Sequence, residues 1–101
     1  MTSSLNPKLT SSLNPKLTSN IKGFYLFNLD LQLEGYTVFY SNKYWLLFDL
    51  DNNFKGVAIQ AKEGFFNIFN LNNDYIGFFV HAKENTFLHF NTDNSWIGIT
   101  S

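Results

Sequence analysis

From residue 24 onward, apolar and polar positions return with a period of 21. The segments beginning at Phe24, Trp45, Phe66 and Phe87 align without a gap as aromatic, x, apolar, Phe, Asn/Asp, x, Asp/Asn, x, x, bulky apolar, x, Gly. Two columns do not vary within the chain: Phe27, Phe48, Phe69 and Phe90, and Gly35, Gly56, Gly77 and Gly98. A fixed period of this size marks a repeat architecture. Short apolar runs separated by polar turn-formers read as strands, two in each repeat. Asn42-Lys43, Glu63-Gly64 and Glu84-Asn85 suit two-residue hairpin turns between repeats, and Asp51-Asn52-Asn53 and its equivalents suit turns within them. The pattern predicts an all-β domain over residues 21–101, built as four 21-residue β-hairpin repeats in an eight-stranded antiparallel meander.

The odd period sets a register. Side chains change sheet face at every residue, so two even loops per repeat would move each column to the other face at the next copy. An odd loop or a bulge prevents this. A three-residue loop at Asp51-Asn52-Asn53, with Asn53 left-handed, pairs Phe48 with Gly56; the same rule pairs Phe27 with Gly35, Phe69 with Gly77 and Phe90 with Gly98. An aromatic ring lying over a cross-strand glycine compensates for its weakness in a strand. One face then carries Phe24, Leu26, Tyr36, Val38, Trp45, Leu47, Val57, Ile59, Phe66, Ile68, Phe78, Val80, Phe87, Ile97 and Ile99. The other carries the Phe–Gly pairs with Leu46, Leu50, Phe54, Leu71, Tyr75, Phe79, Leu88 and Trp96. Both are mostly apolar, whereas a sheet with one wet face alternates cleanly. A closed barrel, a sheet folded on itself and propeller-blade-like packing all answer that demand. The latter two require self-association, because large apolar patches are rarely left uncovered.

Residues 1–20 differ in kind. Positions 2–9 and 10–17 are the same octapeptide, TSSLNPKL. Leucine recurs every four residues there, but Pro7 and Pro15 each remove an amide donor and push Asn6 and Asn14 out of the helical region. The Ser, Thr, Asn, Pro and Lys content predicts a flexible arm.

Composition narrows the function classes. The net charge is -1, with seven lysines and no arginine, which argues against a nucleic-acid partner. The absence of cysteine removes disulfides, thiolate catalysis and thiolate metal sites. No apolar leader and no long apolar run is present, so the expected location is cytoplasmic; no basic patch accompanies the aromatic surface to suggest membrane contact.

The recurring polar feature is an Asx pair in each repeat: Asn28 and Asp30, Asp49 and Asp51, Asn70 and Asn72, Asn91 and Asp93. Alternating oxygen ligands before a glycine resemble a calcium loop, but no bidentate Glu follows at the required place, and turn formation accounts for them; no metal or cofactor is expected. Together with Trp45 and Trp96 as aromatic platforms, Asp49, Asp51, Asn70, Asn72, Asn91 and Asp93 are the candidate ligand-binding positions, of the kind a lectin-like module repeats to gain avidity. A two-residue turn pairs position 80 with 89 and 81 with 88, which sends His81 and His89 to opposite faces and predicts no shared site. With no nucleophile or phosphate loop, the chain is not expected to be an enzyme. The leading expectation is a non-catalytic β-repeat interaction module that associates with itself or docks on another protein through an aromatic apolar face. The alternative is carbohydrate or cell-surface binding through the Asx and aromatic columns.

Overall fold

The computed structural model describes residues 22–101; the tandem-octapeptide arm predicted over residues 1–20 lies outside the described residues. Eight strands follow in order: β1 (Tyr25–Asn28), β2 (Leu33–Ser41), β3 (Tyr44–Asp49), β4 (Phe54–Lys62), β5 (Phe65–Asn70), β6 (Tyr75–Lys83), β7 (Thr86–Phe90) and β8 (Trp96–Thr100). Each pairs antiparallel with the next, and β8 returns to β1 through Leu26–Thr100, Phe27–Ile99 and Asn28–Gly98, which closes the sheet into a barrel. Closure removes every open edge. Of the three packings compatible with the sequence, the chain adopts the barrel.

The two-residue turns fall where the sequence places them, with Ser41 paired to Tyr44, Lys62 to Phe65 and Lys83 to Thr86. The inner loops are shifted by one residue. The N–H of Asp49 bonds the carbonyl of Asn53 at 3.0 Å and the N–H of Asn52 bonds the carbonyl of Asp49 at 3.1 Å, so the loop is Leu50-Asp51-Asn52. Its left-handed residue is Asn52 (φ 68°), not Asn53; Leu31, Asn73 and Asn94 repeat that conformation at φ 61°, 66° and 64°. A one-residue bulge follows in each hairpin, and Phe48 faces Phe54 while Leu47 faces Gly56. A second bulge lies beside each two-residue turn, at Tyr40, Ala61 and Ala82. The odd period therefore comes from three odd features, a three-residue loop and two bulges, rather than one. Bulges increase local twist and bend the strands toward closure.

This register corrects the Phe–Gly pairing. No invariant Phe lies across from the glycine of its own hairpin. Each glycine instead adjoins the next repeat: Gly35 pairs with Asp49, Gly56 with Asn70, and Gly98 with Asn28 across the closure. A Cβ added at Gly56 would come 2.2 Å from the carbonyl oxygen of Phe69; at Gly77 it would meet Phe90 O at 2.2 Å, at Gly35 Phe48 O at 2.2 Å and at Gly98 Phe27 O at 2.3 Å. The column is glycine because backbones of adjacent repeats approach there, not because a ring covers it.

The bulge after each inner loop also exchanges the faces of the even strands. Trp45, Leu47, Phe66, Ile68 and Phe87, which the sequence places on one face, are buried inside, with Phe24 and Leu26 packed against them. Tyr36, Val38, Val57, Ile59, Phe78 and Val80 lie on the outer wall, and Phe79 points inward, fully buried. Inside, the odd strands give large residues, and the even strands, apart from Phe39 and Phe79, give the small Gly35, Thr37, Gly56, Ala58, Gly77, Gly98 and Thr100. That alternation of bulky and small residues fills a narrow bore. The buried threonines are satisfied: Thr37 Oγ1 accepts the N–H of Phe24 at 2.8 Å, and Thr100 Oγ1 accepts that of Phe87 at 2.9 Å.

Candidate functional site

Repeat-equivalent residues meet in layers along the barrel axis. The first aromatic of each repeat forms a plug, with Trp45 centred 4.0 Å from Phe66, 5.0 Å from Phe87 and 5.3 Å from Phe24. The next layer holds Leu26, Leu47, Ile68 and His89, and the layer after it Asn28, Asp49, Asn70 and Asn91. The barrel thus has a turn end, above the plug, and a loop end beyond the Asx layer.

At the loop end each Asx side chain ties down its own loop. Asn28 Oδ1 accepts the N–H groups of Asp30 and Gln32 at 2.9 and 3.0 Å. Asp49 Oδ1 takes those of Asp51 and Asn53, both at 2.9 Å. Asn70 Oδ1 takes Asn72 and Asp74, and Asn91 Oδ1 takes Asp93 and Ser95. Burial pushes the Asp49 carboxyl up, but hydrogen bonds from Asn53 and Asp51 and the charge of Lys55 outweigh it and hold it below the ordinary carboxylate range. Asn70→Ala removes both acceptor contacts and is expected to destabilise the barrel by about 1 kcal/mol, read from urea unfolding, with a similar effect for Asn91→Ala.

The sequence-predicted positions separate accordingly. Asp49, Asn70 and Asn91 sit in the Asx layer, Asp51, Asn72 and Asp93 in the exposed loops beside them, and Trp96 at the same end on the outer wall. Trp45 is not among them. It is buried in the plug, its ring stacked on Phe39 and on Phe66, and offers no platform beside the Asx column.

The histidines also depart from expectation. The bulge at Ala82 pairs His81 with Phe87 and Phe79 with His89, so both imidazoles share the inner face. They lie in different layers. His81 stands at the turn-end mouth, Nε2 2.8 Å from the Glu84 carbonyl oxygen, whereas His89 packs on Phe79 at 4.9 Å in the aliphatic layer. Burial lowers the His89 pKa to about 4. Among the described residues no group of three or more His, Asp or Glu is placed to hold a metal ion.

The outer wall is largely aromatic and aliphatic. The invariant Phe column faces outward, Phe48 stacked on Tyr36 at 5.2 Å and Phe90 on Phe78 at 5.0 Å. Stacking of this kind covers Tyr36, whose hydroxyl donates to Asn52 Oδ1 at 2.6 Å. Beside the column, toward the loop end, the repeat-equivalent Leu33, Phe54, Tyr75 and Trp96 remain 41, 42, 46 and 50% exposed. They form an apolar collar around the barrel, extended by the exposed loop residues Leu29, Leu50 and Leu71. Charge is divided along the axis. Six of the eight carboxylates (Asp30, Glu34, Asp49, Asp51, Asp74, Asp93) lie at the loop end, and four of the five described lysines (Lys22, Lys43, Lys62, Lys83) at the turn end.

At the turn end the bore opens as a funnel of about 290 Å³. The aromatic plug and Phe39 form its floor; Asn42, Gln60, Glu63, His81 and Glu84 form its rim. Sequence reasoning did not single out this rim. Its signal was available in the repeat: Asn42, Glu63 and Glu84 hold the same first position of the three two-residue turns.

Fold and surface together define a closed, up-and-down antiparallel barrel with four internal repeats. Comparison with protein families, curated proteins and solved structures gives no match for the chain. No helix of the described residues is long and apolar enough to cross a membrane.

Proposed function

We propose that this barrel is a non-catalytic interaction module that works by self-association, two copies packing flank to flank through the apolar outer wall. The observation that carries the proposal is the collar. Leu33, Phe54, Tyr75 and Trp96 stand exposed beside outward-facing Phe27, Phe48, Phe69 and Phe90. Apolar surface of this extent favours burial by roughly 25 cal/mol per Å² removed from water. Barrel closure leaves no strand edge to extend, so contact falls to side chains.

Charge supports a second copy as occupant and gives its direction. A two-fold axis perpendicular to the barrel axis turns one copy antiparallel to the other and makes the contact isologous. The lysine-bearing turn end of each copy then lies beside the carboxylate-rich loop end of its partner. Such complementarity steers encounter and fixes orientation, and salt screens it.

Sedimentation velocity of the Phe54→Ser/Tyr75→Ser variant tests this reading. The variant is expected to sediment as one chain at concentrations where the parent sediments as two, while retaining its melting transition. Unchanged association in that variant removes the collar from the account. Mass above one chain only in the presence of another macromolecule points to heterologous docking instead.

A further inference from the structure

We propose that the turn-end funnel is a binding site for a small primary ammonium compound with an apolar body. Its walls divide into two chemistries. The floor is hydrocarbon: Phe24, Phe39, Phe66 and Phe87 around buried Trp45. The rim carries the side chains of Glu63 and Glu84, which bear carboxylates, and of Asn42 and Gln60, which bear amides. A concave apolar site with a few convergent polar groups is the usual form of a small-molecule pocket.

The sign of the ligand follows from what faces the bore. Glu63 and Glu84 line the funnel, and no lysine does. The nearby Lys62 lies on the outer wall, its Nζ 5.9 Å from the centre of the Phe65 ring. The remaining titratable group of the rim, His81, is engaged through Nε2 with the Glu84 carbonyl oxygen at 2.8 Å, which fixes the turn that carries Glu84. The charged side chains that line the funnel are therefore two carboxylates over an apolar floor, while Lys22, Lys43, Lys62 and Lys83 stand at the same end outside that lining. Trp45 is buried, stacked on Phe39 at 5.3 Å and on Phe66 at 4.0 Å, so the cation is read by rim oxygens rather than by the indole face. Those oxygens belong to carboxylates and amides at several points of the rim, which suits an ammonium with three N–H donors. A volume of about 290 Å³ accepts a single aromatic ring with a short alkyl arm.

The collar and the funnel are on different parts of the barrel, so this site stands independently of self-association. Isothermal titration calorimetry with phenethylamine and its neutral analogue 2-phenylethanol separates charge from shape. The expected result is binding of phenethylamine at least tenfold tighter than 2-phenylethanol. In Glu63→Gln/Glu84→Gln that preference is expected to fall below twofold with an unchanged melting temperature, since both residues are exposed in turns. Asp51→Asn/Asp93→Asn, which removes loop-end carboxylates, is expected to leave the preference intact. Equal affinity for the two compounds, no phenethylamine binding at millimolar concentration, or a preference that follows the loop-end variant would each overturn the proposal.

Discussion

Gly77→Ala is expected to unfold about 3 kcal/mol more easily than the parent chain, with a fall in Tm of more than about 10 °C. The alanine Cβ would stand 2.2 Å from the carbonyl oxygen of Phe90 and 3.3 Å from the Cα of Asn91, both backbone atoms of the neighbouring strand. A side chain in the way could rotate aside; a paired strand cannot move without opening its ladder. Because Gly35, Gly56 and Gly98 approach the next repeat in the same way, alanine at any of them is expected to cost a similar amount. The effect at Gly98 has a particular meaning, since its neighbour Phe27 belongs to the first strand and the contact lies on the seam that closes the barrel. Urea unfolding checks the series. A loss below about 0.5 kcal/mol at Gly77 would contradict the observed register.

Acid is expected to weaken the barrel through His89. This residue holds the position that Leu26, Leu47 and Ile68 hold in the other repeats, and burial lowers its pKa from 6.5 to about 4. Between those pH values the unfolded chain binds a proton that the folded chain refuses. Stability is therefore complete above the unfolded value, declines as pH falls below about 6.5, and is reduced by about 3 kcal/mol once pH reaches the folded value. Asp49 acts in the same direction. Its carboxyl is held below the ordinary range in the folded state, so the stability it contributes is lost as pH falls through that lowered value. His89→Leu separates the two. Unfolding free energies measured from pH 7 to pH 4 are expected to stay flatter in the variant, which restores the aliphatic layer, and to converge on the Asp49 contribution at the acid end. A parent chain as stable at pH 4.5 as at pH 7 would contradict the inward placement of His89.

Much of the architecture was legible in the residues. The 21-residue period, the two-residue turns and the shared face of Trp45, Leu47, Phe66 and Ile68 follow from alternation and turn chemistry, and all are present. The faces of the even strands were not legible because a bulge leaves no local signature. Asn52 and Asn53 are the same residue type, and nothing local says which of them takes the left-handed conformation. Placing the loop one residue early leaves the faces unchanged; the extra residue of the bulge that follows it, between Phe54 and Gly56, exchanges inside for outside. Sequence did hold a corrective: an inward Gly, Ala and Thr series opposite Trp45, Leu47, Phe66 and Ile68 fills a bore, whereas an inward Tyr36, Val57 and Phe78 series overfills it. The Asx column was legible as turn chemistry, and its Oδ1 atoms are engaged in that way. Its grouping with Trp45 was not, because Trp45 and the Asx residues occupy separate layers of the same interior. The funnel rim escaped notice because Asn42, Glu63 and Glu84 are ordinary turn residues until the barrel closes around them.

The central claim is that one flank of the aromatic outer wall is covered by a second copy of the chain. Multi-angle light scattering of the purified protein at micromolar concentration tests it most directly, in low salt and again in high salt. The account predicts the mass of two chains, twice 11.7 kDa, in low salt, with a measurable shift toward one chain as salt screens the contacts between opposite ends. The mass of a single chain under both conditions would contradict it.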